Sequence, residues 1–572
     1  MGIQNVIISW IEKKTGQLND VQIVTLGLCA EHFEKNETSE IPSHLFNRIH
    51  SPSKRKKLGI TYTPESVREE LACRVLDHLS QAFDYDKVRI SDPCCGSGAF
   101  SISVIEELVR RGLKREKALA QNIFFSDIDP FSVGLAMLNI YFHFERHGIN
   151  LIHENIRINT KVQDFIRSED RFHAFITNPP YIKLQNVPLK SREFLKNRYA
   201  PYFSGSPGLS TLFLVAMSER LIRHGAVGVI TQNNLFTSNS GKSVRKLLKD
   251  KVFKIDTFGS SAVFKDVMTS TCLFYFSTDD QNEFQFRKIS DASDFRKKSV
   301  LCKNRDLNPG KWRLGSVDDL ENLKKLETQG IALGQACRIW VGIATQFDKA
   351  FTVFKKGSIW VSLSPDGRQI KVEAGVVKPL VRVSDLTDAE SLKENKRGVI
   401  YPYRMQKDRA VAISESELKK SYPKAYQALL CWETELLKRE KGRIKKQDWY
   451  KWGRIQSMIP IRQKLLTKTF NKGPRFYLDE GASLFSNGYA LVPLSTAYDI
   501  LFVQKVLNSR VFEYYAKLTS VEIEGEYQCY QKNFIENFCL PNITAQDQKK
   551  LIKQKNFDRF LVKYYGLQNI SV

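Results

Sequence analysis

Strand-length apolar runs alternate with helically spaced apolar positions between about residues 58 and 280. The predicted strands are residues 88–91, 122–126, 172–177 and 227–231, with a late strand at 273–276. Between them, the spacing predicts a helix through residues 104–111 and an amphipathic helix near 211–223. This alternation is typical of an α/β fold, a mostly parallel, doubly wound sheet with helices on both faces.

The two ends of the chain have other patterns. Residues 1–57 place apolar side chains at helical spacing, as at Val6, Ile7, Trp10 and Ile11, and end in a basic, turn-rich stretch. After about residue 325, short strand-like runs mix with helices without regular alternation. We therefore expect an N-terminal helical arm (1–57), an α/β domain (58–324) and an α+β domain (325–572).

The net charge of the chain indicates the kind of partner that it binds. The 572 residues include 87 Lys or Arg against 62 Asp or Glu, a net charge of +25. An excess this large favours a polyanion such as nucleic acid as partner, and a merely solvated basic surface is the alternative.

Several classes of protein are disfavoured. No apolar run approaches the length needed to span a bilayer, and the N-terminus lacks the pattern of a secretory signal. The ten cysteines are scattered without a Cys-x-x-Cys pair, and no Cys/His cluster has zinc spacing. We expect a cytoplasmic protein with reduced thiols and no metal.

A glycine-rich turn joins the first predicted strand to its helix. Residues 92–100 read Asp-Pro-Cys-Cys-Gly-Ser-Gly-Ala-Phe, beginning at Asp92. Gly96 and Gly98 allow the backbone to turn tightly and approach a ligand over the carboxyl end of that strand. Taken alone, the pattern equally describes any tight strand-to-helix turn.

A carboxylate ends the next predicted strand. Asp127 can accept hydrogen bonds from both ribose hydroxyls of a nucleoside cofactor. Asp129 or Pro130 then begins a helix. The alternative is that these aspartates serve only as a helix N-cap.

The strongest motif follows the strand at 172–177. It consists of Asn178, Pro179, Pro180 and Tyr181. Two prolines stiffen the backbone and remove two donors, so the Asn178 side-chain oxygen and the Pro179 carbonyl can both accept from one amino group. Such bonds pull the amine nitrogen toward tetrahedral geometry and expose its lone pair, while Tyr181 offers a ring face to a nucleobase. A proline-stiffened loop without function is the alternative.

In this order, the motifs resemble those of the gamma-class adenine-N6 DNA methyltransferases of restriction–modification systems. The resemblance covers about residues 58–270 and includes a Gly-Ile-Thr-Tyr-Thr-Pro stretch at 59–64. It implies a Rossmann-like, S-adenosylmethionine-dependent methyltransferase domain followed by a C-terminal target-recognition domain. That second domain is similar chiefly in the stretch at 340–345.

The resemblance also implies roles for individual residues. Thr61, Thr63 and Pro64 would line the methionine end of the cofactor. Asp92 and the loop from Gly96 to Gly98 would hold its amino-acid part, Asp127 its ribose, and Asp164 with Phe165 its adenine. Asn178, Pro179 and Tyr181 would hold the target base.

Two positions depart from the family pattern. Leu209-Ser210-Thr211 stands where members often carry Asp-Leu-Tyr, and Ser240 stands where many have an aromatic residue. The second ring that would stack on a flipped base is therefore in question, and Phe236 is our candidate.

A basic, aromatic-rich stretch lies in the C-terminal domain. Residues 431–475 contain 13 Lys or Arg against 4 Asp or Glu, interleaved with aromatic residues (Trp432, Trp449, Tyr450, Trp452 and Phe470). The cluster favours contacts with DNA phosphates, and a charged helix with core aromatics is the alternative.

The function predicted from these features is transfer of a methyl group from S-adenosylmethionine to N6 of adenine in a short double-stranded DNA sequence. The base would be flipped into the pocket, and no metal or covalent enzyme intermediate is needed. We expect a monomer, paired with a separately encoded restriction endonuclease. The alternatives are methylation of RNA or of a protein glutamine, a nicotinamide-dependent oxidoreductase, and a non-catalytic DNA-binding subunit.

Overall fold

The computed structural model describes residues 3–16, 18–35, 63–258, 271–289, 295–406, 409–520, 522–523 and 527–570. They form two compact units, the first Met1–Ser316 with Ile523–Gly525, the second Val317–Glu522 with Glu526–Val572. The division falls a few residues before the predicted boundary at 324/325, which stays a prediction. Within the described residues, no helix is long and apolar enough to cross a membrane.

The first unit is built on a nine-stranded sheet with the order β3-β2-β1-β4-β5-β7-β6-β8-β9. Its strands are β1 Ile90–Asp92, β2 Ile123–Asp127, β3 Asn159–Val162, β4 Phe172–Thr177, β5 Leu221–Gln232, β6 Val252–Phe258, β7 Thr271–Ser277, β8 Glu283–Ile289 and β9 Val300–Lys303. Strands β1 to β5 are parallel, β7 runs antiparallel to both β5 and β6, and β9 runs antiparallel to β8. The predicted mostly parallel sheet is confirmed.

Eight helices accompany this sheet in the described part of the unit, besides single turns. They are α1 Ile3–Thr15, α2 Asp20–Lys35, α3 Glu65–Leu79, α4 Ala99–Arg110, α5 Pro130–Glu145, α6 Leu189–Arg198, α7 Leu209–Arg220 and α8 Lys242–Leu248. The helix predicted near 211–223 ends at Arg220, because β5 begins at Leu221 and is longer than the predicted 227–231.

Alternate side chains of the strands enter two different cores, as the period of two in a strand requires. Ala174 and Ile176 of β4 pack in the core that contains α1 to α5, whereas Phe175 packs in the core that contains α7. The helices therefore cover both faces of the sheet, as predicted.

The region predicted as an N-terminal arm is part of the first core. Ile7, Ile11 and Leu26 are completely buried. A Cβ on Gly134 of α5 would lie 2.9 Å from the side chain of Ile11, which shows how closely α1 approaches α5. Residues 36–62 are outside the described part of the chain.

The second unit mixes several small sheets with helices. Its main sheets have the orders β11-β23-β19-β21 and β14-β13-β12-β16-β15-β22. The strands are β10 Ile331–Ala332, β11 Cys337–Val341, β12 Thr352–Lys356, β13 Ile359–Leu363, β14 Gln369–Val372, β15 Val377–Arg382, β16 Arg397–Ile400, β17 Tyr403–Gln406, β18 Arg409–Ala412, β19 Lys464–Thr467, β20 Phe470–Asn471, β21 Tyr477–Asp479, β22 Leu484–Ser486, β23 Tyr489–Pro493, β24 Tyr527–Cys529 and β25 Cys539–Leu540.

The longer helices of this unit are α9 Val317–Thr328, α10 Glu415–Ser421, α11 Pro423–Leu430, α12 Ile500–Leu507, α13 Arg510–Thr519, α14 Ala545–Ile552 and α15 Phe557–Tyr565. One core gathers side chains of α9, α12, α13 and α15, and a second gathers the aromatic residues Tyr401, Tyr403, Trp449, Tyr450 and Trp452. This α+β texture is the one the sequence predicted.

Candidate active site

The predicted site residues of the first unit follow three neighbouring strands. In the sheet, β1 lies between β2 and β4, and all three are parallel. Their carboxyl ends therefore lie at the same edge of the sheet. The loops after Asp92, Asp127 and Thr177 all begin at this edge, where open α/β sheets bind their ligands.

The glycine-rich loop contains two left-handed backbone conformations, which residues with a Cβ adopt only with steric strain. Gly96 has φ 51° and Gly98 has φ 77°, both left-handed. A Cβ on Gly98 would lie 2.9 Å from the Cβ of Ala136, so this glycine lets α4 begin against α5. A Cβ on Gly96 would meet nothing within 4 Å, so the loop faces open space at that point.

Asp92 is a buried carboxylate with one unused oxygen. Its Oδ1 accepts from the Thr177 hydroxyl at 2.7 Å and from the Cys94 amide at 3.3 Å. Its Oδ2 is buried and has no hydrogen-bond partner among the described residues. Burial raises the pKa of Asp92 to about 7, although the two hydrogen bonds oppose the rise. A cationic ligand group would satisfy the free oxygen.

Asp127 holds the glycine loop as well as facing the ligand edge. Its Oδ2 accepts from the Gly96 amide at 3.2 Å and its Oδ1 from the Asp129 amide at 3.0 Å. Burial raises the pKa of Asp127 to about 6 against these hydrogen bonds. Asp129 accepts from the Ser132 amide at 3.2 Å, so it caps α5 with Pro130 in the first turn, as predicted.

An apolar residue that our sequence analysis missed stands between the two aspartates. Ile128 is 69% exposed, and Val162, which pairs with Asp127 in the β2–β3 register, is 37% exposed. These two side chains give the ligand edge an apolar surface beside a carboxylate. The signal in the sequence was an isoleucine directly after the acid that ends a strand.

Asp164 and Phe165 lie after β3 and have different environments. Asp164 caps the turn at Phe165–Arg167 through the Ile166 amide, and its other oxygen pairs with Arg167 at 3.2 Å. Phe165 is 3% exposed and packs edge-on against Phe175, with ring centroids 5.4 Å apart. Its side chain belongs to the core and presents no free ring face.

The Asn-Pro-Pro-Tyr segment begins where β4 ends. The Tyr181 hydroxyl donates to Asn178 Oδ1 at 2.8 Å, and Asn178 Nδ2 donates to the Thr63 hydroxyl at 3.2 Å. Thr63 is buried, and Pro64 directly precedes α3. The amide of Asn178 is therefore held from both sides, with its oxygen oriented by Tyr181. Thr61 lies outside the described residues.

Phe236 is not available as an exposed stacking surface. It is 4% exposed and stacks on Trp312, with ring centroids 5.9 Å apart and planes inclined by 19°. The buried Arg245 donates to the Leu235 and Ser238 carbonyls and fixes this segment. Nearby in sequence, at the end of β5, Asn233 Oδ1 is buried without a partner among the described residues.

In the second unit, the basic stretch at 431–475 contains buried aromatic side chains and exposed basic side chains. Trp449, Tyr450 and Trp452 are at most 4% exposed, so these aromatics follow the core interpretation. Trp432 is half-buried and donates its indole N–H to the Leu363 carbonyl. The basic side chains of this stretch that are exposed are Lys438, Arg443, Lys445, Lys446, Arg454, Arg462, Lys472 and Arg475.

One group of described residues has metal-ligand spacing. Ligand atoms of Glu106, His143 and His147 lie within 4.8 Å of one another, at the far ends of α4 and α5 from the site. Arg115 already binds both oxygens of Glu106, at 2.8 and 2.9 Å. A guanidinium in that position opposes a cation, so the group carries no metal assignment here.

Comparison with known proteins agrees with this geometry. The family described as N-6 DNA Methylase matches residues 45–311. The type II methyltransferase M.BanIII of Aneurinibacillus aneurinilyticus is 24% identical over 87% of this chain and 92% of its own length. The type II restriction enzyme and methyltransferase RM.Eco57I of Escherichia coli is 23% identical over 68% of this chain, which spans only 42% of that protein.

Among solved structures, the type IIL restriction-modification enzyme MmeI, in complex with DNA, has the same fold. Its TM-score is 0.62 at 14% identity, over 92% of this chain and 79% of that one. The comparisons therefore support an adenine-specific DNA methyltransferase domain of the restriction–modification type in residues 45–311 of this chain.

Proposed function

We propose that this protein transfers a methyl group from S-adenosylmethionine to N6 of adenine within a short double-stranded DNA sequence. The observation that carries the proposal is the convergence of three strand ends. Three groups follow the strands that end at one edge of the sheet. They are the amide oxygen of Asn178, the buried carboxylate of Asp92 with its unpaired oxygen, and the carboxylate of Asp127 beside the glycine loop.

The residues at this edge fit the cofactor. The unused Oδ2 of Asp92 matches an ammonium group, and the open backbone at Gly96 leaves room for the methionine part. Asp127 would accept from the ribose hydroxyls, while the exposed Ile128 would pack on the adenine ring. When bound, the cofactor supplies a sulfonium methyl group, whose transfer requires no metal.

The Asn178 amide would hold the target amine. Its Oδ1 has two lone pairs, one of which accepts from the Tyr181 hydroxyl, so the second remains for an N6 hydrogen. The Pro179 carbonyl would accept the other N6 hydrogen, and Tyr181 would lie against the flipped base. Holding the amine at attack distance supplies about 7–11 kcal/mol of the required barrier reduction.

The second unit would bind the duplex around the target adenine. Residues 431–475 carry a net charge of +9 out of +25 for the chain, and their basic side chains are largely exposed. These residues would contact phosphates, and contacts of the second unit with base edges in the major groove would determine which DNA sequence is recognised. An endonuclease acting on the same sequence, separate or fused, is the partner that this function implies.

The proposal is tested by sequencing that detects modified bases in DNA from cells that express the chain. We expect N6-methyladenine at one short motif, absent with Asn178→Ala and retained with Asn282→Ala, an exposed asparagine of the same unit. Unmodified DNA with a folded, cofactor-binding protein would contradict it. Purified protein with labelled cofactor and DNA, RNA or protein would then identify the acceptor.

A further inference from the structure

A short loop of the second unit, residues 452–458, is fixed at both ends in the core. Trp452 and Met458 are each 4% exposed. The Trp452 indole N–H donates to the Ile400 carbonyl at 3.1 Å, and its backbone N–H donates to the Tyr403 hydroxyl at 2.7 Å. The Tyr401 hydroxyl donates to the Met458 carbonyl at 3.2 Å. The loop therefore has two rigid anchors.

Between its anchors, the loop is bonded along its length to residues 341–345. The Gly453 amide donates to the Thr345 carbonyl at 3.1 Å, and the Arg454 amide donates to the Ala344 carbonyl at 3.2 Å. Further along, the Gln456 side chain donates to the Gly342 carbonyl at 2.9 Å, and the Ser457 hydroxyl donates to the Val341 carbonyl. Both neighbours of residue 455 are thus held in place.

The residue at the centre of this loop is Ile455, which is 83% exposed. That is the largest exposed fraction of any large apolar side chain in the described residues. A single exposed isoleucine on a mobile surface would need no explanation. Here the loop presents it on a fixed backbone, so its position is set before any partner binds.

The charge around Ile455 identifies the kind of partner. Residues 449–478 contain seven Lys or Arg and no Asp or Glu. Arg454 and Arg462 are both exposed, and neither forms an ion pair within the described part of the chain. Lys451 and Lys464 are paired with Asp448 and Asp479, so the unpaired charge next to Ile455 in the sequence is that of Arg454 and Arg462. An apolar side chain beside unpaired positive charge fits a polyanion with an apolar interior, and duplex DNA has this composition.

We propose that Ile455 is a base-contacting residue, which loop 452–458 presses against the bases in a groove of duplex DNA while Arg454 binds the adjacent phosphate. The proposal rests on the DNA methyltransferase function above and adds a residue of the second unit that reads or opens the base stack. Apolar side chains that enter a groove commonly unstack one base step.

The test uses the full chain with Ile455→Ala, the conservative Ile455→Leu, and Leu494→Ala as a matched control. Leu494 is also exposed in this unit, at 62%, but has no basic segment around it. Since Ile455 is so exposed, its truncation should leave the melting temperature unchanged. Two quantities are measured: affinity for a duplex carrying the recognised sequence, and fluorescence of 2-aminopurine placed at each step of that duplex.

We expect Ile455→Ala to weaken binding to the recognised duplex about tenfold, more than to unrelated DNA, and to remove the 2-aminopurine signal at one step. Ile455→Leu should restore both, and Leu494→Ala should change neither. If wild type methylates DNA and Ile455→Ala binds it normally, this inference is wrong and the methyltransferase function stands. Equal loss on all duplexes, without a 2-aminopurine change, would also overturn it. A wild-type protein that neither binds nor methylates DNA would refute both proposals.

Discussion

The loop after β4 and loop 452–458 are both held rigid, but by different interactions. Each is a short segment with fixed ends to which we assign one ligand-contacting side chain. At 178–181 two prolines stiffen the backbone, and Asn178 is bonded to both Tyr181 and Thr63. At 452–458 the stiffness comes from buried anchors and from bonds to another segment, and Ile455 is left exposed.

The difference follows from what each loop has to do. A catalytic amide must already have the geometry of the reacting state, so its polar atoms are oriented in advance by neighbours. A groove-contacting side chain needs only a fixed position and an apolar surface, because the partner supplies the rest of its environment. We therefore expect large effects on rate from the first region and smaller effects on affinity from the second.

The sharpest test of this contrast is Asn178→Ala in a purified system. Loss of the amide oxygen that we propose holds the target amine should lower kcat by about 10²–10³-fold or more, while cofactor affinity stays close to wild type. Single-turnover methylation and calorimetry measure the two quantities. The matched control Asn282→Ala should show neither change, and near-normal turnover of Asn178→Ala would remove the role assigned to this residue.

Next in size is Asp127→Ala, which should weaken cofactor binding about 10–100-fold through loss of charge-assisted hydrogen bonds. The raised pKa of Asp127, about 6, adds a pH dependence. Only the carboxylate accepts from both ribose hydroxyls, so cofactor affinity should fall as pH decreases through 6. Calorimetry from pH 5 to 8 measures this.

The same pKa has the opposite effect on the free protein. Because burial raises the folded-state pKa above its unfolded value of 3.8, the stabilising contribution of this group is present below about pH 4 and lost as pH rises through 6. Asp127→Asn should remove the contribution of this group from both pH profiles, while the contribution of Asp92, whose pKa is raised to about 7, remains. An unchanged affinity profile in that variant would contradict the ribose assignment.

A smaller effect is expected for charge on the second unit. Replacing Arg443, Lys445 and Lys446 together by Gln should weaken DNA binding uniformly across sequences. The slope of log affinity against log salt should decrease by about 0.9 for each lost phosphate contact, with no change in cofactor affinity.

The control for this variant carries the same three-charge loss elsewhere. Lys549, Lys550 and Lys553, at the end of α14, are also exposed. Anisotropy titrations at several salt concentrations compare the two triple variants. Equal slopes would mean that residues 443–446 contribute only to the overall charge.

The smallest expected effect is that of Tyr181→Phe. The ring that would lie against the base remains, and only the hydrogen bond that orients Asn178 Oδ1 is lost. One hydrogen bond of this kind is worth about 0.5–1.5 kcal/mol, so kcat should fall about two- to tenfold. A loss as large as that of Asn178→Ala would show that the hydroxyl itself takes part in the chemistry.

Local patterns predicted the first unit well. The strand at 172–177 has the observed bounds, and the glycine turn, the Asp129 cap and the Asn-Pro-Pro-Tyr segment follow strands as expected. These features could be predicted because each motif lies within a few residues of the strand that it follows. The exposed Ile128 was missed, since its environment depends on β3 pairing with β2.

Aromatic residues were harder to place. Phe236, our candidate for stacking, and Phe165, a candidate for cofactor binding, both have buried rings, against Trp312 and Phe175 respectively. Trp312 lies 76 positions after Phe236, a separation at which no periodicity relates the two. Ring type identifies a residue that can stack, but neighbours distant in sequence decide whether its face is free.

The sequence by itself determined the order of strands and helices, the turn geometry at Gly96 and Gly98, and the chemistry available at Asp92, Asp127 and Asn178, because these depend on residue type and near neighbours. Tertiary structure alone decided that Asp92 keeps one oxygen unpaired and that Ile455 is held outward from a fixed loop. Burial and hydrogen-bond partners arise from segments that meet only after folding, and burial is what changes the pKa of a carboxylate or exposes an apolar side chain.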